Sequence, residues 1–326
     1  MKIIAFGEVM MRMMPPNYKK LSQVDTLEFL YTGTGVNVLS GLYQMGHEVY
    51  LTTRLPDNIV GQAASAHIRK LGIHDDYVCY GTNHIGIYFL EQGIGNRASQ
   101  ITYLNRLDSS FGKSQISDYD FSCLDGMDAL HICGISLALR ENLREVAFAF
   151  AKEAKKRHIK VIFDCNFRPS LWTGEHDEIK HMLNLADIVF AGYKDATLLL
   201  HKQVDQSLPY DKQLRNILMQ MCQDYHIEFI FGTIRKDEEL TGYMVTSTKM
   251  VMSPKMRLTV FDRVGGGDGF AAGAIDGYLT HMEPQELIHY ATASGVLAHT
   301  TYGDSPVVSK EEIIDFMKNG KRDIKR

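Results

Sequence analysis

The chain has 326 residues, 45% of them hydrophobic and 23% charged, which is enough to bury the core of one large α/β domain or two smaller ones. A net charge of −4 gives no support to nucleic acid as a partner. No uncharged apolar run reaches the length of a membrane span, and the N-terminal stretch MKIIAFGEVMMRM is too short and too charged, at Glu8 and Arg12, for a signal segment.

Short apolar runs recur with helix-like segments between them. KIIAFGEV (Lys2–Val9) predicts a first strand, and VNVLSGLYQMG (Val36–Gly46) a helix closed by glycine. EVYLTTRL followed by NIVGQAASAHIRKLG repeats the pattern. DALHICGI, KVIFDCN and ADIVFAGY are further strands by their β-branched and apolar content. Before KVIFDCN, RENLREVAFAFAKEAKKRH predicts a helix burying Leu143, Val146, Ala147, Phe150 and Ala154 on one face. Nearly continuous apolar strands alternating with helices point to an α/β fold, with a mostly parallel central sheet covered by helices on both faces.

One segment breaks the rhythm. HIGIYFLEQGIGNRASQITYLNR (His84–Arg106) has two β-type runs around a Gly/Asn-rich turn and no helix, the pattern of a hairpin. It is a candidate lid, to which Met10–Tyr31 could add strands. We expect one domain over residues 1–326, with a small β-sheet lid inserted from about 10–33 and 80–107. The five cysteines, Cys79, Cys123, Cys133, Cys165 and Cys222, show no C-x-x-C pair, which fits free thiols in a reducing cytoplasm. The basic run Lys318–Arg326 is expected to be a solvated tail.

The stretch FDRVGGGDGFAAGA (Phe261–Ala274) concentrates the chemistry. Asp268 could simply cap the helix that follows, but a turn rarely needs three glycines. Gly267, Gly269 and Ala272 satisfy G-x-G-x-x-A, yet the dinucleotide fingerprint opens the first βαβ unit, and Asp268 would repel a pyrophosphate there. The third reading uses every residue. The amides of Gly265, Gly266 and Gly267 at a helix N-terminus cradle phosphoryl oxygens, while Asp268 accepts the proton of a hydroxyl attacking that phosphate.

DRVGGGD (Asp262–Asp268) resembles the D-T-x-G-A-G-D signature of the ribokinase-like (PfkB) carbohydrate kinases, and TGTGVNVLSGLYQMG resembles their G-G-x-x-x-N segment through Gly33 and Asn37. The resemblance covers essentially the whole chain. It implies the ribokinase-like fold, ATP and Mg2+ as cofactors, Asp268 as catalytic base and the Gly265–Gly267 amides as anion hole. On the nucleotide side it implies Gly232, Thr233, Arg235 and Asp262, with Ser294 and Gly303 from a small-residue helix and glycine turn beside the adenine. The family's N-x-x-E metal motif falls at Gly192-Tyr193-Lys194-Asp195, leaving Asp195 as the metal-side carboxylate on a shorter arm. Arg263 stands where the family has threonine, and Thr32 where it has glycine.

GEVMMRMMPP, DRVGGGD and DCNFRPSLW together look like the 2-keto-3-deoxygluconate kinase branch. That branch implies Gly33, Asn37, Tyr88, Tyr103, Arg106 and Arg168 around the sugar. Arg12 replaces an aspartate that grips sugar hydroxyls in fructokinases and ribokinases, and suits an acidic substrate, because arginine's planar fork meets a carboxylate bidentately. The expected partners are therefore a small sugar acid and ATP, with a homodimer formed through the lid. Two alternatives stay open: a kinase for a neutral sugar or nucleoside, and a sugar-acid sensor of the same fold without turnover.

Overall fold

The strand–helix alternation folds, in a computed structural model, into a mostly parallel sheet with helices packed on both faces. Residues 1–169, 171–172 and 177–320 are described, so residues 321–326 of the basic C-terminal run and Ser170 of DCNFRPSLW lie outside them. The parallel strands of the main sheet are β1 (Lys2–Phe6), β4 (Glu48–Pro56), β5 (Val78–Gly81), β8 (Ala129–Cys133), β9 (Lys160–Asp164), β10 (Ile188–Phe190) and β11 (Phe229–Lys236). An antiparallel edge follows: β12 (Glu239–Val245), β13 (Met250–Met252) and β14 (Met256–Arg257). The order across the sheet is β13-β12-β11-β10-β9-β8-β1-β4-β5, with β14 also on β12.

Residues of β1 alternate between two cores. Ile4 and Phe6 pack under α3 (Gly134–Leu139), α4 (Glu141–Lys156), α5 (Asp177–Leu183) and α6 (Tyr210–Tyr225). Ile3 and Ala5 pack under α1 (Thr34–Gln44), α2 (Ile59–Lys70), α7 (Gly266–Leu279), α8 (Pro284–Ala298) and α9 (Lys310–Asn319). This is the period-two logic of a strand buried on both faces. All five residues predicted for the inner face of α4 are buried in it. The run DALHICGI ends as a strand two residues earlier than expected. At Gly134 the chain turns into α3 so close to β9 that a Cβ there would stand 2.3 Å from the Cys165 carbonyl oxygen.

A second, four-stranded sheet stands apart in the order β3-β2-β6-β7, from β2 (Met10–Met14), β3 (Glu28–Thr32), β6 (Gly86–Glu91) and β7 (Gln100–Leu104). β6 and β7 are the two arms of the hairpin, while β2 and β6 run parallel. Pairings such as Arg12 with Tyr88 and Tyr88 with Tyr103 put those side chains on one face. Met13, Phe29, Phe89 and Thr102 take the other.

In the main sheet the chain moves outward from β1 in both directions, to β4 and β5 on one side and to β8 through β11 on the other. Such a switch point leaves a crevice beyond the carboxyl ends of the strands, where ligands of open α/β sheets bind. The small sheet stands beside that crevice, sharing its walls.

Candidate active site

A cavity of about 700 Å³ opens there. Its walls include Gly7 and Glu8 after β1, Cys133 at the end of β8, Asp164 and Arg168 at and after β9, and Gly192 and Asp195 after β10. The small sheet adds Tyr88 and Tyr103, and Arg106 follows it.

The glycine loop enters from the start of α7. Gly265 is its N-cap with φ 88°, a left-handed conformation, and a Cβ there would stand 1.8 Å from the Asp304 carbonyl oxygen, so glycine is required twice over. The first intrahelical bond runs from the Gly269 amide to the Gly265 carbonyl, at 2.8 Å. The amides of the residues between are the unsatisfied donors of the helix start, where the macrodipole favours an anion. Gly267 and Asp268 line the cavity, and nothing stands within 4 Å of where a Gly267 Cβ would be. Gly266 sits differently. Its Cβ position lies 1.9 Å from the His299 ring, so it serves close packing against the end of α8 rather than the cavity wall.

Asp268 is oriented by Asn37 of α1, whose Nδ2 donates to Asp268 Oδ2 at 2.7 Å. Asn37 is itself fixed, because its Oδ1 accepts from the Ser305 hydroxyl at 3.0 Å. The Asp268 carboxyl is pushed up to about 7, first by burial and then by the charges of Asp164 and Asp304, with the Asn37 hydrogen bond and Arg168 pulling the other way. A carboxylate poised near neutrality is a competent general base.

The arginines divide into three situations. Arg12 is fully buried, and its guanidinium is shared between Asp262, at 2.8 Å, and Asp304. Asp304 also accepts from Tyr88 at 2.6 Å and Thr32 at 2.8 Å. The expected role of Arg12 as a grip on substrate is therefore corrected. It is absent from the cavity wall, and a guanidinium withdrawn from water needs both carboxylates for itself. It ties β2 to the glycine loop and to the turn after α8. Arg106 does reach the wall, but Nε and Nη2 both contact Glu8 Oε2 at 2.7 Å, with its guanidinium 5.0 Å over the Tyr103 ring. Arg168 lines the same cavity, is exposed, and makes no ion pair among the described residues.

Gly33 and Asn37 both line the cavity, and a Cβ on Gly33 would stand 2.0 Å from the Glu8 carbonyl oxygen. Of the residues expected on the nucleotide side, Gly232, Thr233 and Asp262 also line it. Arg235 is exposed beyond the wall but electrostatically close to Arg263, which is on it; burial and then that like charge lower the Arg235 pKa. Ser294 and Gly303 stay away. Ser294 is buried between α7 and α8, donating to the Gly269 carbonyl at 2.7 Å, so the small residues of α8 serve helix packing. Gly303, at φ 91°, makes the turn that delivers Asp304.

Asp195 accepts from the Gly192 amide at 2.7 Å through Oδ2, while its Oδ1 is buried without a partner. Burial raises its pKa, and it helps push Asp164 up to about 7, where burial is again the first cause. The free oxygen of Asp195 beside the Asp164 carboxylate fits a Mg2+ ion that takes its remaining ligands from phosphates and water. The described residues hold no cluster of three or more His, Cys, Asp or Glu able to bind a metal by themselves. Glu8, Asp164, Asp304 and Arg263 were not singled out as site residues in the sequence. Of these, Arg263 gave a signal as a departure from the family's threonine, and Asp164 as the first residue of DCNFRPSLW.

A family model described as pfkB family carbohydrate kinase matches residues 1–311. A structure from Enterococcus faecalis, provisionally assigned as a 2-keto-3-deoxygluconate kinase, is 38% identical and superposes with a TM-score of 0.96, covering 100% of this chain and 98% of that one. The 2-dehydro-3-deoxygluconokinase of Thermotoga maritima is 31% identical with a TM-score of 0.93, covering 98% of each chain. The 2-dehydro-3-deoxygalactonokinase of Haloferax volcanii is 26% identical over 329 residues, 100% of this chain and 99% of that protein.

Proposed function

The chain belongs to the PfkB family of carbohydrate kinases, and from that premise we propose that it moves the terminal phosphoryl group of ATP onto the terminal hydroxyl of a 2-keto-3-deoxy sugar acid, giving 2-keto-3-deoxygluconate 6-phosphate from 2-keto-3-deoxygluconate. The observation that carries the reading is the pairing, in one cavity, of the Asp268 base with Arg168, a guanidinium that makes no ion pair among the described residues. An arginine on that wall is best matched by a carboxylate, which its planar fork meets bidentately, and a neutral sugar supplies none.

Asp268 takes the proton of the sugar hydroxyl as that oxygen bonds to the γ-phosphorus. The bond from phosphorus to the bridging oxygen of ADP breaks, and the amides at the start of α7 hold the charge on the equatorial oxygens. Gly267 leaves room for the phosphoryl group where any side chain would intrude. Asn37 keeps the carboxylate aimed. Asp164 and Asp195 are the residues that would hold Mg2+, which when bound offsets the negative charge of the phosphates. Gly232, Thr233, Arg235 and Arg263 are assigned to the nucleotide side. The small sheet acts as a lid over the sugar in a single domain. Its outward Met13, Phe29 and Phe89 support pairing of two copies through it, which the mass of the protein in solution would test.

The test is an ADP-release screen across sugar acids, including both the gluco and galacto epimers, together with neutral sugars and nucleosides. The reading expects turnover on a 2-keto-3-deoxy acid far above any neutral sugar. Preference for fructose, ribose or a nucleoside would overturn the substrate assignment.

A further inference from the structure

Glu8 lies just beyond the end of β1, where the sheet opens into the cavity, and its side chain is 6% exposed. Its two oxygens are not equivalent. Oε2 takes both contacts from Arg106, at 2.7 Å each. Oε1 is buried and meets no hydrogen-bond donor. The space beside it is kept open by Gly86 of β6, where a Cβ would stand 2.8 Å from that oxygen. Burial raises the Glu8 pKa above the usual carboxylate range, and Arg106 only partly opposes this. A carboxylate oxygen with no donor, on the wall of a cavity, is costly unless something polar arrives to fill it.

Among the described residues none donates to it: Tyr88, on the same cavity wall, donates to Asp304 at 2.6 Å, and Arg106 is committed to Oε2. A metal fits poorly, because the guanidinium beside it supplies the positive charge. What fits is a neutral donor: a hydroxyl group of the sugar. We propose that Glu8 is a specificity-determining residue, its Oε1 accepting a hydrogen bond from a sugar hydroxyl while Oε2 holds Arg106 in position on the same wall. This rests on the sugar-kinase reading above. It also refines that reading, because Arg106 is already half neutralised and the negative charge of a sugar acid must fall chiefly to Arg168.

Glu8→Gln tests it. The amide keeps the size of the side chain, and with its oxygen on Arg106 it presents N–H groups to the cavity, reversing the hydrogen-bond polarity that a hydroxyl meets. Losing a hydrogen bond to a charged acceptor should raise KM for the sugar by ~10–100-fold, with KM for ATP within ~2-fold. The discriminating measurement uses analogues of the sugar each lacking one hydroxyl. The wild type should lose ~10-fold or more on one of them, while Glu8→Gln should treat that analogue and its parent alike. A uniform rise in KM across all analogues would mean that Glu8 only positions Arg106, and no rise would mean neither role; both overturn the proposal. Should Glu8→Gln fail to fold, Gly86→Ala crowds the same oxygen from β6 of the small sheet and takes the same comparison. If the wild type phosphorylates a neutral sugar and no sugar acid, the substrate assignment fails, and the analogue series on that sugar still decides the role of Glu8.

Discussion

The acid side of the pH–rate profile should be set by Asp268, and Asn37 should set where it falls. Only the ionised carboxylate can take the substrate's proton, and its pKa is pushed up to about 7. At pH 6 kcat/KM should therefore be about a tenth of its plateau, falling about tenfold per further unit. Asn37→Ala removes a 2.7 Å hydrogen bond that stabilises the charged form. Bonds of that kind are worth about 1.5 kcal/mol or more, so the pKa rises and the limb moves alkaline by about one pH unit. Asp164→Asn removes a like charge, which must move the limb the other way. Coupled ADP release under limiting sugar, from pH 5 to pH 9 at constant ionic strength, measures all three limbs. A flat wild-type profile across that range, or two variants shifting the limb in the same direction, would refute the assignment of the base.

Arg12→Met should cost about 3–5 kcal/mol of unfolding free energy in denaturant titrations, because it strands the buried carboxylates of Asp262 and Asp304. A loss under about 1 kcal/mol, with a steep rise in sugar KM, would return Arg12 to the substrate. Gly267→Val should keep a near-native melting temperature yet lower kcat by ~10²-fold or more, since its Cβ position is unobstructed and opens onto the cavity where the phosphoryl group is proposed to sit, and intact turnover would contradict that. His131 is fully buried with neither ring nitrogen hydrogen-bonded, and burial pushes its pKa down to about 4. The unfolded chain takes up that proton first, so stability is whole above pH 6.5 and about 3 kcal/mol is lost on acidification to pH 4. In His131→Leu that part of the acid sensitivity should vanish; an unchanged pH dependence of unfolding would show that the ring is not held neutral.

What the sequence made legible was whatever is contiguous. The inner face of α4 follows from helical spacing, and the glycine loop with Asp268 is seven adjacent residues whose chemistry can be read in place. Pairings across the chain were not legible. Arg12 meets Asp304 across 292 positions, and nothing local in MMRMM says that its charge is already claimed. Arg106 likewise reads as a free cation until the fold sets it against Glu8. Ser294 shows the opposite error. Small residues on α8 look the same whether they admit an adenine or a neighbouring helix, and here α7 fills the space. Gly266 and Gly267 are indistinguishable as letters, and only the helix they open turns one to His299 and the other to the cavity.

The central claim is that Asp268 is the base of phosphoryl transfer to a sugar acid, and single-site turnover tests it most directly. Asp268→Asn keeps the volume and can still face Asn37, but it cannot accept a proton. With ATP, Mg2+ and 2-keto-3-deoxygluconate, kcat should fall by ~10²–10⁴-fold while calorimetric affinities for both substrates stay within a few-fold of the wild type. Turnover of the Asn variant near the wild-type rate would leave Asp268 as nothing more than a residue in the first turn of α7.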